Sequence, residues 1–333
     1  MIDFRRRHWL RASVLWPALA AAPVLRSRPV AAQASPGSFP TRPLRILVGF
    51  AAGGGADAIA RVIGQRLGEQ VGQTVVIDNR PGASSTIAAE LLAKSPADGY
   101  TLMLADSSLL IAARAMAKVN FDVRDNFVAV SGAAIAPLAI TVPADSPLKS
   151  LEDLAAAARR EGGRLVYATS GIGTVHHLAM EMLQSQARIT LSHVPYRGAS
   201  QIVPDLVSGQ IPVAVLSVGA AVGQVASNRI RALGVTSPVR LPGADWRFVS
   251  DWLPGFDASP RLFFLAPAGT PGAIVDRLDR EIRAALAEPA VQESLQKQGS
   301  VPWPMERGAL ARAIPDELEN WTTQIRRANV ELK

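Results

Sequence analysis

"LRILVGFAAGGGADAIARVIGQRL", Leu44 to Leu67, decides how the rest of the chain is read. Its first seven residues are a short apolar run with the character of a buried strand. Beyond it Ile59, Val62, Ile63, Leu67 and Val71 recur at helical spacing. Between the two, Gly53, Gly54 and Gly55 stand in a row, although an ordered glycine costs backbone entropy. A glycine loop entering a helix presents unpaired backbone N–H groups, and the helix dipole adds partial positive charge there. Such a place suits an anion that must approach the backbone closely. The plainer reading is a tight strand-to-helix turn with Asp57 as the helix cap. A P-loop is excluded, because no Lys-Ser/Thr pair follows the glycines. A dinucleotide fingerprint fits poorly: the third glycine is missing, and Asp78 is badly spaced for the acidic partner.

Working outward, "TVVIDN" (74–79) and "YTLMLAD" (100–106) read as strands, with the turn "RPGA" and the helical "TIAAELLAKS" between them. This is β-α-β-α-β, the pattern of a parallel sheet with right-handed crossovers. The rhythm resumes at "PLAITVP" (137–143). A helix follows at "SPLKSLEDLAAAARR", with Ser150 as N-cap and Asp153 three residues on. Strands "RLVYATS", "LSHVPY", "IPVAVLS" and "IRALGVT" alternate with helices "TVHHLAMEMLQSQ", "SQIVPDLVSG" and "GAAVGQVAS". A loop-like stretch leads to the apolar run "RLFFLAPA" (261–268), and helices close the chain. The whole reads as two α/β units of similar size. Open α/β sheets bind ligands beyond the carboxyl ends of their strands. "ATSGIGTVHH", Ala168 to His177, repeats the strand–glycine–helix design in the second unit, so two such loops could surround an anion from both sides.

Composition bounds the answer. The chain has 333 residues, 48% hydrophobic and 19% charged, which reads as globular; only 5% are aromatic, so aliphatic side chains must fill the core. The N-terminus is basic through Arg11, then apolar but Pro-interrupted and too short to span a bilayer. It ends in small residues at Ala32 and Ala34, the pattern of an export signal cleaved after Ala34. Arg6-Arg7-His8-Trp9-Leu10-Arg11 is similar to the twin-arginine export motif, with Trp9 where Phe is usual. The first 34 residues hold six Arg against one Asp, a net of +5, which leaves about +2 of the total +7 to the remainder. The basic balance therefore belongs largely to the export segment, and no basic stripe with interleaved aromatics points to nucleic acid. There is no cysteine, which excludes thiol catalysis and thiolate metal sites.

Adjacent His176 and His177 point about 100° apart on a helix and cannot both face one ion easily; with His193, they read as packing or supporting hydrogen bonds rather than metal ligands. Ser170 with His177 or His193 would be the elements of a hydrolase, but no G-x-S-x-G elbow is present. Arg197 in "HVPYRG" could neutralise a carboxylate, against the plainer reading of a solvated surface charge.

From about Pro43 onward, "RPLRILVGFAAGGGADAIAR", "NRPGAS", "ADGYTLMLA", "ATSGIGTVHHLAMEML", "HVPYRG", "APAGTPGAIVDRLDREI" and "ENWTTQIRRANVE" occur in order. Together they resemble the Bug, or TctC-like, solute receptors, the extracytoplasmic binding components of tripartite tricarboxylate transporters. The resemblance implies an α/β periplasmic binding protein of the type II clamshell kind, with two α/β domains and a hinge crossed twice. The expected division is an export signal at 1–34, a first domain of 36–140 plus 262–333, and a second of 141–261. It implies a small carboxylate ligand held by backbone amides and ordered water, with permease subunits as membrane partners. No catalysis, cofactor, metal or nucleic acid is implied, and the receptor is expected to be a periplasmic monomer. Carried over by position, the ligand residues would be Phe50, Ala52, Gly54, Gly55, Ala56 and Asp57 in the first loop. The second loop would give Ser170, Gly171, Gly173, Thr174 and His177, and the end of "YTLMLAD" would add Asp106 and Ser107. The chain departs from the family at Ala52 (usually Pro), Ala56 (often Ser) and Ser84-Ser85-Thr86 (usually Gly-Gly-Asn). The loop carrying Trp246 and Trp252 departs as well. A ligand sensor without transport and an esterase-like enzyme using Ser170 are the alternatives.

Overall fold

Alternation along β1 (Leu44–Val48) sets the first layer. Leu44, Ile46 and Val48 pack with Ile59, Ile63 and Leu67 of α1 (Gly55–Val71), while Leu47 turns to the opposite face. That is the period of two in a sheet covered on both sides. A computed structural model of the chain describes residues 39–115, 119–237 and 246–328. The expected export segment, including the twin-arginine stretch, lies outside the described residues. β1 pairs in parallel with β2 (Val75–Asn79) and β3 (Thr101–Asp106), and α2 (Thr86–Ala93) connects those two. The sheet is not parallel throughout. β10 (Arg261–Pro267) runs antiparallel to β3 and to β4 (Phe127–Ile135), and β11 (Val301–Pro302) is antiparallel to β4. α8 (Gly272–Ala287) and α9 (Pro289–Lys297) share the face of α1, whereas α2, α3 (Ser107–Ala115) and α10 (Arg307–Ala328) cover the other.

The second sheet has the order β7-β6-β8-β5-β9. Its strands are β5 (Leu138–Pro143), β6 (Val166–Thr169), β7 (Ser192–Pro195), β8 (Ala214–Ser217) and β9 (Ile230–Val235). β6 is parallel to β7 and β8, and β5 is antiparallel to β8 and β9. α4 (Leu151–Glu161) and α5 (Val175–Ala187) cover one face, α6 (Ala199–Val207) and α7 (Val218–Ala226) the other. The Ser150 hydroxyl accepts from the Asp153 amide at 3.1 Å, the cap its spacing predicts.

The chain passes from one sheet to the other at Ala136–Pro137 and returns between Val235 and Arg261. An expected boundary at residue 140 falls inside β5, because pairing with β8 and β9 keeps all of that strand in the second sheet. The two passages touch, with the Ala136 amide bonded to the Pro260 carbonyl at 3.0 Å. A third connection was not legible in the sequence: α10 places Leu310, Ile314 and Leu318 in the core of the first lobe and Trp321 in the core of the second. The C-terminal helix thus spans both lobes rather than belonging to one.

Candidate functional site

Five strand ends converge between the lobes. The loop after β1 contributes Phe50, Ala51, Gly54, Gly55 and Ala56, the last residues of β3 and β8 contribute Asp106 and Ser217, and the loops after β6 and β7 contribute Ser170, Gly198 and Ala199 to one cavity of about 40 Å³. Ala136, Leu138, Pro260 and Leu262 of the hinge form its floor, and His176 of α5 adds an imidazole. The position is the one that open α/β sheets favour for ligands.

The three glycines of the first loop have three different reasons. Gly53 has φ 81°, the left-handed region that other residues enter at a cost. Gly54 is the N-cap of α1 in an extended conformation, and a Cβ there would meet nothing nearer than 3.5 Å. At Gly55 a Cβ would lie 2.6 Å from Ser217 Oγ of the other lobe. The lobes also meet where the Val175 amide donates to Ser108 Oγ at 3.0 Å and where Ser84 Oγ donates to the Ile172 carbonyl. Ser84 sits in a run of three left-handed residues, Ala83, Ser84 and Ser85, with φ of 46°, 52° and 72°. Each costs roughly 1–2 kcal/mol relative to glycine.

Which helix ends remain open decides where an anion can sit. The Thr174 hydroxyl caps α5 by accepting from the His177 amide, Ser217 caps α7 through Ala220, and Asp106 accepts the Ser108 amide of α3. By contrast α1 begins at Gly54 and α6 at Gly198, neither with a side-chain cap. Gly54, Gly55, Ala56, Gly198 and Ala199 all line the cavity. One open helix N-terminus therefore comes from each lobe, and among the described residues no Lys or Arg side chain lines the space between them.

Of the residues expected at the site, Phe50, Gly54, Gly55, Ala56, Asp106 and Ser170 line the cavity; Ala52, Asp57, Ser107, Gly171, Gly173, Thr174 and His177 do not. Asp57 braces the loop instead. Its carboxylate accepts from the Gly53 amide at 2.9 Å, from Asn79 Nδ2 at 3.0 Å and from Arg61 Nε at 3.0 Å. Ser107 is turned behind the wall, its hydroxyl 2.7 Å from Glu317. In the second loop the carbonyl of Gly171 accepts from Thr174 Oγ1, so that loop is closed on itself. His177 accepts from the Gly173 amide and stacks on His193, ring centroids 4.0 Å apart, while His193 Nε2 pairs with Thr169 Oγ1 at 2.6 Å. Burial lowers both imidazoles to about 4, so they support the loop as neutral groups. These partners engage His177 and His193 away from Ser170, and among the described residues no group of three or more His, Asp or Glu could hold a metal. Arg197 is exposed and does not line the cavity. Sequence reasoning missed Ala51, His176, Gly198, Ala199, Ser217 and the hinge floor. The glycine of "HVPYRG", opening a helix with no Ser, Thr or Asp at the cap, was the available signal.

Burial alone would raise the Asp57 carboxyl; hydrogen bonds from Arg61, Gly53 and Asn79 outweigh it, and the net direction is downward. A depressed carboxylate contributes stability that is fully present above the ordinary value near 4 and is lost as pH falls through the folded one. Arg61 is half exposed and contributes little, so the amide hydrogen bonds dominate. Asp57→Asn is expected to cost about 1–2 kcal/mol at pH 7 and less at pH 2.5. Urea unfolding at the two pH values checks this, and an equal loss at both would contradict it.

These features define a class: a two-lobed binding protein that encloses a small solute at strand ends. The chain belongs to the tripartite tricarboxylate transporter receptor family, whose model matches residues 59–330, and it is a substrate-binding protein rather than an enzyme. It is 39% identical over 85% of its length to a Pseudomonas sp. (strain P51) protein encoded between tcbD and tcbE, itself covered to 85%. BugT of Bordetella pertussis is 32% identical, with 91% of this chain and 94% of BugT covered. Among solved structures, R. palustris Rpa4515 with adipate superposes with a TM-score of 0.84 at 30% identity, covering 87% of this chain and 98% of that one. MatC from Rhodopseudomonas palustris with bound malate gives 0.80 at 26% identity, covering 86% and 100%. Family members are periplasmic binding proteins, and among the described residues no helix is long and apolar enough to cross a membrane.

Proposed function

We propose that this chain is an exported receptor that captures a small carboxylate between its lobes and delivers it to the permease subunits of a tripartite transporter. The observation that carries this reading is the pair of uncapped helix N-termini, α1 and α6, lining a cavity with no cationic side chain among the described residues. An anion there is held by backbone dipoles. Each charge-assisted hydrogen bond contributes about 1.5–3 kcal/mol, and a few together reach the roughly −8 kcal/mol of micromolar binding when water is excluded. Adipate in Rpa4515 and malate in MatC support a carboxylate as the solute class. A cavity of about 40 Å³ has room for only a few waters, so entry of such a solute requires the lobes to part. The protein acts as a periplasmic monomer, processed near Ser35 after twin-arginine export. The ligand favours the closed state only through contacts that improve on closure. Isothermal titration against mono-, di- and tricarboxylates is expected to find at least one acid bound at micromolar strength or better. Absence of binding across the panel, together with turnover of an ester, would sink the receptor reading.

A further inference from the structure

Among the described residues two titratable groups line the cavity, Asp106 and His176, and neither has an ionic partner there. Asp106 is 4% exposed. Its Oδ1 accepts the Ser108 amide at 3.0 Å and its Oδ2 the Ser108 hydroxyl at 3.1 Å, both neutral donors. The groups around it offer no cation. His176 on α5 is lowered to about 4 by burial and is neutral, with Nδ1 lacking any hydrogen-bond partner. Asp57 on α1 is tied to Gly53, Asn79 and Arg61. Arg261 of β10 is paired with Glu317 of α10 at 2.8 Å. An ionised ligand carboxylate beside an ionised Asp106 would set two like charges together in a water-poor space, and such pairs hold one proton between them.

We propose that Asp106 meets the ligand in its protonated form and donates a hydrogen bond to the ligand carboxylate, so that the solute is captured together with one proton. The inference rests on the carboxylate reading above. The proton comes from solvent and stays on the Asp106 carboxyl; only an O–H bond is made. Burial raises the free carboxyl to about 7 despite the Ser108 hydrogen bonds, so about half the molecules carry the proton at neutral pH, and a bound carboxylate raises it further. His176, neutral and facing the same space, leaves Asp106 as the group whose titration binding reports.

The sign follows from linkage: binding is strong below the free value and weakens above it, about tenfold per pH unit. Adipate and malate titrated into the full exported protein at pH 6, 7 and 8.5 serve as probes. Buffers of different ionisation enthalpy report the protons exchanged. Affinity is expected to fall about fifteenfold from pH 7 to 8.5, with uptake approaching one proton per ligand at pH 8.5. Asp106→Asn keeps a donor and cannot titrate, so it is expected to bind with no proton uptake and a flat profile between pH 6 and 8.5. Wild-type binding with neither uptake nor pH dependence would overturn the inference, whatever the variant does. So would affinity for an amino dicarboxylate that rises with pH, since that requires ionised Asp106 facing an ammonium group. Should no acid of the wider panel bind to either protein at any pH, the carboxylate reading falls, and this inference with it.

Discussion

Gly55→Val is expected to weaken ligand binding at least about a hundredfold while leaving the far-UV spectrum of the free protein intact. A single Cβ at this position would lie 2.6 Å from Ser217 Oγ and 3.0 Å from Ser217 Cβ, closer than non-bonded atoms settle. A branched side chain leaves two ways out. The lobes stay apart, or the first turn of α1 shifts and its open amides move off the ligand. Either removes contacts made only in the closed state, and a loss of about 2.7 kcal/mol already amounts to a hundredfold. Gly54→Ala provides the contrast. Its Cβ would have 3.5 Å of clearance and its backbone is already extended, so the change is expected to cost less than about tenfold. Both variants are read by isothermal titration with the best ligand of the panel. Equal effects of the two would mean that lobe contact at Gly55 does not govern affinity.

The same glycines show how far sequence reaches. That the loop enters a helix and exposes amides was readable from Gly53–Gly55 and the apolar spacing beyond. That the third glycine serves clearance was not, because Ser217 lies 162 positions away in sequence and meets it only across the cleft. The expected symmetry of the two loops failed for a local reason. "SGIGT" ends in a threonine, and Thr174 spends its hydroxyl on the His177 amide, closing the helix end that looked open. The open partner is Gly198, where no hydroxyl competes. The choice between His176 and His177 could not be made from periodicity, since α5 is buried around most of its circumference and has no polar face to orient it. Asp57 fits neither expectation: the N-cap of α1 is Gly54, without a side-chain cap, and the Asp57 carboxylate instead accepts from the Gly53 amide and from Asn79. Architecture was legible wherever strand and helix alternated. The antiparallel β4 and β10 were not, because a hinge crossing leaves no mark on the period of two.

Glu317→Ala is expected to lower the unfolding temperature by about 3–6 °C. Glu317 sits where three elements of both lobes meet. Its Oε1 accepts from Ser107 Oγ at 2.7 Å and from Trp321 Nε1 at 2.8 Å, and its Oε2 accepts from Arg261 Nη1 at 2.8 Å. Ser107 begins α3 directly after Asp106 of the cavity wall, Arg261 opens the returning hinge strand, and Trp321 is packed in the core of the second lobe. One carboxylate therefore fixes the helix that spans the lobes against the strand that connects them. Truncation leaves the indole N–H buried without an acceptor and the guanidinium without its partner. Arg261 is one-third exposed, so water recovers part of the second loss, and the total is about 2–4 kcal/mol. Glu317→Gln keeps an acceptor for Ser107 and Trp321 but turns an amide toward Arg261, so about half of that loss is expected. Scanning calorimetry of the two variants separates the contributions: a midpoint for Glu317→Ala within 1–2 °C of the parent would show that apolar packing of Trp321, not this carboxylate, couples α10 to the hinge.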